Sequence, residues 1–365
     1  MEERLQAVTT PVLLESTADA LAPWASILRA VPEAAGDVTA LLALAVEAGA
    51  TWPRPGECRT SLLWELLASV AAIDVAAARV FEPHLDAVAI LSQAAAAAGG
   101  PGAVPGKEPR ASWGVFAAEG PGARLQATPD SAAVMLNGAK PWCSLAARLD
   151  RAVITAHTDD GGRAAFAVDL RHPGVRCEEP VWVARGLREI PSGTVHFDQV
   201  PAVPLGGPGW YHSRPGFAWG GMGVAACWLG GAVGVARDFR AGLVAGADAG
   251  RDPDQVSLAA LGEVDRTLTA AMQYLARTAA RIDDGSLGAA GQSTWSEAQR
   301  VRGTIAAAVE RVLQLVLSNR GPGPLAFDER YAKRTADLGL YVRQHHGVRD
   351  DAQLGRLTLK GDCPW

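Results

Sequence analysis

The chain has 365 residues, and at roughly 150 residues per domain this length predicts two to three domains. A hydrophobic fraction of 48% with 20% charged residues is typical of a globular protein and excludes a disordered or fibrous one. Acidic residues outnumber basic ones by 39 to 34, a net charge of −5, so nothing favours nucleic acid or an anionic membrane as a partner.

Targeting, membrane and metal signals are the next features to consider. The first residues lack a basic stretch that leads into an apolar run, and no apolar run reaches the roughly 18 residues of a membrane span. Five scattered cysteines form no C-x-x-C pair, which indicates reduced thiols without a disulfide framework or zinc site. The sequence therefore predicts a cytoplasmic protein with no membrane span and no metal.

Helical periodicity characterises residues 1–110. Apolar side chains recur three and four apart from Val38 to Gly49 and from Ser61 to about Ala98, among good helix formers. The following segment, Gly99–Arg110, contains four glycines and three prolines and predicts a connector. We expect an N-terminal α-helical domain over residues 1–110.

Short strand-like runs begin at Ala111. Each is bounded by Gly, Pro, Asp or Asn, and the runs are WGVFAA, AAVML, RAVITAH, RAAFAVD and GTVHFDQV. A proline- and glycine-rich stretch, Pro201–Trp210, ends them. These runs predict a middle antiparallel β-barrel-like domain over residues 111–205.

Helical periodicity returns over residues 206–365. The predicted helices are Ala225–Ala245, Ser257–Ile282, Thr294–Leu317 and Asp328–Gln344. Thr294 and Glu297 have the spacing of a capping box, in which each side chain bonds the other's free backbone N–H. The fold class that follows is α+β and multidomain with a C-terminal four-helix bundle, and clefts are expected where the β module meets helices.

Three ordered motifs carry a resemblance to a known family. They are Leu136–Ser144 with the sequence LNGAKPWCS, the tripeptide Gly186-Leu187-Arg188, and the strand Val195–Pro204. In this order they resemble the middle β domain of the acyl-CoA dehydrogenase superfamily of flavoproteins, and the likeness extends over about the whole chain. It implies an FAD cofactor, an acyl-CoA or acyl-carrier thioester as substrate, and a homodimer or homotetramer, with a heteromer as a further option.

The resemblance also implies which residues contact the cofactor. They are Phe116, Ala118, Trp142, Cys143, Ser144, Arg251, Gly321 and Gly323. Trp142 lies where the family places a tryptophan against the isoalloxazine, and Ser144 where a hydroxyl lies near its redox-active nitrogen. Ala118 replaces the threonine with which many relatives bind the pyrimidine edge. Without the resemblance, the favoured interpretation is that Trp142 fills the core of the β domain and Ser144 caps a strand end.

The predicted pyrophosphate contacts depart from the family pattern. Arg251 keeps the arginine of an R-x-x-F-G motif that grips FAD across subunits, but the Phe-Gly is missing, and a solvated loop charge explains Arg251 equally well. Gly321 and Gly323 stand in a glycine segment that approaches the cofactor, where glycine permits close contact with phosphate. A helix C-cap accounts for these glycines as well.

The catalytic base is the largest departure. Typical relatives use a glutamate, but none occurs at Arg343–Gly347 or at Met222–Ala225, the two matching segments. His345 or His346 is the candidate base because imidazole titrates near neutrality, and Asp350 and Asp351 follow closely. Histidines that favour the negative end of a helix dipole explain the pair equally well.

The leading functional hypothesis is therefore an FAD-dependent oxidoreductase that catalyses α,β-desaturation of an acyl thioester. Two alternatives stay open. One is a flavin-dependent monooxygenase on the same fold, and the other is an inactive partner subunit of a heteromeric dehydrogenase.

Overall fold

Helices form both ends of the chain and strands form its middle. The computed structural model describes residues 10–99, 110–130, 133–159, 161–179, 181–288 and 293–365. Most of the predicted connector Gly99–Arg110 lies outside the described residues. One hydrophobic core includes side chains from the N-terminal helices, the strands and the C-terminal helices. The domain boundaries at residues 110 and 205 stay predictions.

The N-terminal helices differ from the prediction at one break. These helices are α1 (Ala25–Ala34), α2 (Val38–Thr51), α3 (Thr60–Ile73) and α4 (Val75–Ala97). The helical run predicted from Ser61 is interrupted at Asp74, which has an extended backbone and whose side-chain Oδ1 caps α4 by accepting from the Ala77 N–H. Arg334 donates to the carbonyls of Ala72 and Ile73, each at 2.9 Å, and so satisfies the free end of α3.

The strands close into a barrel. They are β1 (Trp113–Phe116), β2 (Leu125–Pro129), β3 (Val134–Ser144), β4 (Arg151–His157), β5 (Arg163–Asp169), β6 (Val175–Cys177) and β7 (Ser192–Leu205). The order β4-β2-β3-β7-β5 closes through the β4–β5 pairing, while β1 adds to β4 and β6 to β7. A barrel is thus confirmed, and β2 and β6 are strands that the sequence analysis did not predict.

The pairing is not wholly antiparallel, so that part of the prediction is wrong. Both β1 and β2 pair with β4 in parallel. The antiparallel strand β3 reverses the chain between β2 and β4, which makes those two strands run in the same direction. The remaining pairings of β3, β4, β5, β6 and β7 are antiparallel.

The C-terminal helices surround a long central one. They are α5 (Trp210–Ser213), α6 (Pro215–Asp248), α7 (Gln255–Asp283), α8 (Thr294–Arg320), α9 (Pro322–Phe327), α10 (Glu329–Tyr341) and α11 (Val348–Leu359). Helix α6 is long and apolar enough to cross a membrane, but 83% of its apolar window is buried in the fold, as in a core helix. It approaches α3 so closely that a Cβ on Gly230 would lie 2.1 Å from the carbonyl oxygen of Ala68.

Two sequence motifs have structural roles here. The N-cap of α8 is Ser293, whose Oγ accepts from the Trp295 N–H, so the predicted Thr294–Glu297 capping box is wrong. The Glu297 carboxylate instead accepts from Tyr274 Oη at 3.1 Å. The Gly186-Leu187-Arg188 turn docks on α10, where the Leu187 N–H donates to Asp337 Oδ1 at 2.5 Å.

Candidate functional site

A β-bulge in β3 presents Trp142 to solvent. The register between β3 and β7 shifts between Lys140 and Cys143, and Trp142 adopts φ +60°, in the left-handed region that a bulky residue rarely occupies. Its side chain is 62% exposed, whereas Cys143 beside it is buried. Strain of this kind costs on the order of 1–3 kcal/mol and concentrates at functional sites. The bulge therefore holds out a flat aromatic surface of the kind that stacks on a planar ligand.

Ser144 connects the barrel to helix α4. Its Oγ lies 2.6 Å from Ser192 Oγ and 3.3 Å from Arg79 Nη2, which donates to it. Ser144, Arg79 and the β1 residue Val115 line one narrow cleft between the barrel and α4. The Ser144 hydroxyl can donate a hydrogen bond to a ligand that gains electrons. The Arg79 guanidinium places a positive charge next to the same ligand.

The other flavin contacts predicted on the barrel, Phe116, Ala118 and Cys143, differ in how exposed they are. Phe116 is buried and lines the same cleft, so its side chain belongs to the core. Ala118 is exposed. The Cys143 thiol points inward and donates to the Lys140 carbonyl at 3.3 Å, and burial raises its pKa, which keeps it protonated. Flavin contacts at these positions stay predictions.

An ion pair between a buried lysine and an exposed glutamate supports this end of the barrel. Lys140, the lysine of the LNGAK motif, is 1% exposed and donates to Glu119 Oε1 at 2.7 Å and to Thr155 Oγ1 at 3.0 Å. Arg163 contacts the same Glu119 oxygen at 3.0 Å. These bonds fix the loop after β1 beside Trp142, since a Cβ on Gly120 would lie 4.0 Å from the Trp142 indole nitrogen.

The predicted pyrophosphate residues lie on other elements. Arg251 is exposed in the turn after α6, where its backbone N–H donates to the Gly246 carbonyl at 2.9 Å. Gly321 separates α8 from α9 with φ +65°, and Gly323 lies within α9. A Cβ at either glycine would meet nothing within 4 Å, so both face open space. Their contact with a phosphate stays a prediction.

The two candidate histidines point in different directions. The His345 side chain is 8% exposed, its Nε2 has no hydrogen-bond partner among the described residues, and that atom lies 3.8 Å from Asp350 Oδ2. Desolvation by burial lowers the pKa of His345, so the ring is neutral near pH 7. The His346 side chain is 66% exposed and its Nδ1 lies 3.4 Å from Asp350 Oδ1. Only His345 therefore faces the interior, and a role for either as a base stays a prediction.

Helix α4 carries a row of polar residues that the sequence analysis missed. Arg79, Glu82, Asp86 and Gln93, here called the polar stripe, share one helix face because their spacing follows the helical repeat. The signal was present in the sequence, since Arg79, Glu82 and Asp86 interrupt the mainly apolar stretch AAARVFEPHLDAVAI. The role of these polar residues could not be inferred from the sequence, because it depends on which parts of the fold the stripe faces.

The polar stripe faces the glycine-rich start of α6. A Cβ on Gly216 would lie 2.2 Å from Gln93 Oε1, and one on Gly220 would lie 2.7 Å from Asp86 Oδ1. Glycine at these positions leaves room for polar side chains between two core helices. Arg214 is 6% exposed and donates to Gln93 Oε1 at 2.8 Å.

Arg302 from α8 and Tyr341 from α10 complete this polar region. The Arg302 guanidinium donates to the carbonyls of Gly221 at 2.9 Å and Gln344 at 2.8 Å, and lies 4.8 Å from the Trp228 ring centre. Tyr341 Oη donates to Glu82 Oε2 at 3.3 Å. Arg214, Arg302 and Tyr341 thus bring polar or charged groups to the stripe from three other parts of the fold.

Electrostatics distinguish Glu82 within the stripe. Burial raises the pKa of Glu82 to about 7, opposed by the charge of Arg79 and reinforced by that of Asp86. Burial also raises the pKa of Asp86, with Arg214 opposing. A carboxyl group that titrates near neutrality can both take up and release a proton at working pH.

Comparisons with known proteins agree on the fold. No protein-family model matches the chain, and no curated protein does. Nitrososynthase from Micromonospora carbonacea var. africana has a TM-score of 0.73 at 18% identity, over 90% of this chain and 94% of that one. KijD3 in complex with FMN and dTDP-3-amino-2,3,6-trideoxy-4-keto-3-methyl-D-glucose has 0.71 at 19%, over 98% and 96%. Butyryl-CoA dehydrogenase from Megasphaera elsdenii has 0.73 at 17%, over 98% and 97%. The chain has the fold of the acyl-CoA dehydrogenase-like flavoproteins, as predicted.

Proposed function

We propose that the protein is a flavin-dependent oxidoreductase that oxygenates a small polar substrate. The observation that carries this proposal is the polar stripe, which Arg79 joins directly to Ser144, the predicted flavin contact. The residues present fit a flavin, because an exposed tryptophan in a strained bulge and a hydroxyl with a guanidinium beside it suit the ring and its redox-active edge. When bound, the flavin supplies two-electron chemistry, and the chain supplies binding and electrostatics.

The charge of the stripe argues against an aliphatic acyl chain as the occupant. Arg79, Glu82 and Asp86 are already largely removed from water, and burial raises the pKa of both carboxyl groups. An acyl chain packed on them would offer no hydrogen-bonding group to these side chains. A substrate with hydroxyl or amino groups could bond to them.

Two of the three named neighbours support a polar substrate. One is called a nitrososynthase, and the KijD3 complex contains FMN with an amino-sugar nucleotide. FAD stays the flavin that the sequence resemblance implies, and FMN is the alternative that the KijD3 complex favours. A homodimer or homotetramer in the cytoplasm remains part of the proposal.

Acyl thioester desaturation is the second candidate function, and the fold match to butyryl-CoA dehydrogenase favours it. The neutral ring of His345 accepts the Gly347 N–H at Nδ1 (3.3 Å), so its proton lies on the inward-facing Nε2, and the ring would have to change tautomer to act as the base there. An inactive partner subunit, the third alternative, predicts a chain that binds no flavin.

The decisive experiment compares the two reactions in one preparation. The purified chain is loaded with FMN or FAD, and polar amines, phenols and amino sugars are supplied with isotopically labelled dioxygen, a separate flavin reductase and reduced nicotinamide as the electron donor. We expect one labelled oxygen atom in a polar product and no anaerobic bleaching by acyl-CoA. Anaerobic bleaching by an acyl-CoA, with no labelled product from any polar compound, would instead establish desaturation.

A further inference from the structure

Glu82 is bonded to Arg79, the residue of the polar stripe that contacts Ser144, the predicted flavin contact. We infer that Glu82 is the group that takes a proton from the bound substrate, an inference that rests on the proposed function. Nothing in the sequence resemblance assigns a role to this residue. The geometry of its two carboxylate oxygens carries the argument.

The two oxygens of Glu82 have different surroundings. Oε2 receives both recorded bonds, from Arg79 Nη1 at 3.3 Å and from Tyr341 Oη at 3.3 Å. Oε1 has no hydrogen bond recorded among the described residues, and the side chain keeps 11% exposure. Oε2 is therefore held by two hydrogen bonds, and Oε1 is left to accept a hydrogen bond or a proton from a ligand.

Arg79 couples this carboxylate to Ser144. Its Nη1 contacts Glu82 and its Nη2 contacts Ser144 Oγ, so one planar guanidinium fixes both groups. A substrate bound next to Ser144 would therefore be separated from Glu82 by one side chain, that of Arg79. Arg79 is a positioning residue in this arrangement, because it stays protonated and transfers no proton itself.

Position and charge distinguish Glu82 from the titratable groups around it. Burial raises the pKa of Tyr341 and of Cys227 well above their usual ranges, so both stay protonated. Arg79 and Arg302 remain cations. Burial also raises the pKa of Asp86, but Asp86 lies one turn further along α4, whereas Glu82 is bonded directly to the Arg79 that contacts Ser144. Glu82 is therefore the carboxyl group nearer to the predicted flavin contact.

The proposed step is a simple proton transfer. An N–H or O–H bond of the substrate breaks, its electron pair stays on the nitrogen or oxygen, and the proton forms an O–H bond with Glu82 Oε1. Glu82 changes from charge −1 to neutral, and Arg79 and Arg302 compensate the electron-rich substrate. The carboxylic acid then returns the proton to solvent, which restores the starting state.

The test uses Glu82→Gln, with Glu33→Gln as the matched control because Glu33 is an exposed glutamate on α1. In the flavin-free protein, carbon-13 labelled glutamate carboxyls are followed by NMR against pH. We expect one resonance that titrates near pH 7, present in wild type and in Glu33→Gln and absent in Glu82→Gln. A glutamate set that all titrates in the normal range would overturn the inference.

Turnover supplies the second readout. With a polar substrate that the wild type oxidises, Glu82→Gln should lower kcat/KM by about 10²–10⁴-fold and remove the rise of rate with pH near neutrality, while flavin affinity is unchanged. Full activity with an unaltered pH profile in Glu82→Gln refutes the inference and leaves the proposed function intact. If the wild type oxidises no polar compound, the proposed function is wrong. The inference that Glu82 takes a proton from such a substrate is then wrong as well.

Discussion

Replacing Lys333 by methionine tests whether its ion pairs attach the β barrel to the helices. Lys333 Nζ lies 2.8 Å from Asp74, 2.9 Å from Glu189 and 2.7 Å from Asp337, so one cation holds three carboxylates. Asp74 caps α4, Glu189 follows the docking turn, and Asp337 anchors Leu187. Methionine keeps the length of the side chain and removes the charge.

The magnitude follows from burial and distance. The Asp337 side chain is 1% exposed, and oxygens of the three carboxylates lie within 4.8 Å of one another. Removing the partner of a buried ion pair costs about 3–5 kcal/mol. Protonation of one carboxylate relieves part of the repulsion, so we expect a loss of this size at pH 7 that shrinks as pH falls towards about 5. In wild type, the carboxylates raise the pKa of Lys333, so its contribution is complete below the unfolded pKa and is lost only at strongly alkaline pH.

Chemical denaturation at several pH values measures this effect. Lys360→Met is the control, because Lys360 is exposed at the end of α11. Surface changes of this type stay within about 0.5 kcal/mol. A Lys333→Met variant as stable as Lys360→Met at pH 7 would refute the account of the barrel attachment.

Three further predictions concern single residues. Glu65 Oε1 accepts three backbone N–H groups, including that of Leu14 at 2.7 Å. Glu65→Ala should therefore speed hydrogen exchange in residues 14–16 and lower the free energy of unfolding by about 1–3 kcal/mol, and unchanged exchange would contradict this. His84 accepts from the Trp113 N–H, and burial lowers its pKa to about 4, so unfolding free energy should fall as pH drops from about 6.5 to 4, a slope that disappears in His84→Gln. Trp142→Ala should weaken flavin binding by about 3–10-fold without loss of stability, since stacking is worth about 0.5–1.5 kcal/mol and the ring is exposed; equal affinity in a fluorescence titration would contradict it.

Local patterns in the sequence predicted most of the elements. The helix at Val38 begins at the predicted residue because Asp37 caps it through the N–H groups of Thr39 and Ala40. The runs RAVITAH and RAAFAVD are the strands β4 and β5 over their full length. Signals of this kind lie within a few residues of the element that they specify, so no tertiary information is required.

Contacts between distant parts of the chain account for what the sequence analysis missed. The break at Asp74 is stabilised by Arg334, which lies 262 residues from Ala72, and no local breaker of the glycine or proline type marks it. The bond between Glu82 and Tyr341 spans 259 residues, so the spacing of the stripe alone could not show which distant polar groups it contacts. The exposure of Trp142 depends on a bulge whose register is set by β7.

A crystal structure of the flavin-loaded protein tests the central claim most directly. The account predicts that the isoalloxazine contacts the Trp142 ring and Ser144 Oγ, with its open side towards the polar stripe and Glu82. A flavin bound more than a side-chain length from Trp142, or no bound flavin at saturating concentration, would contradict it.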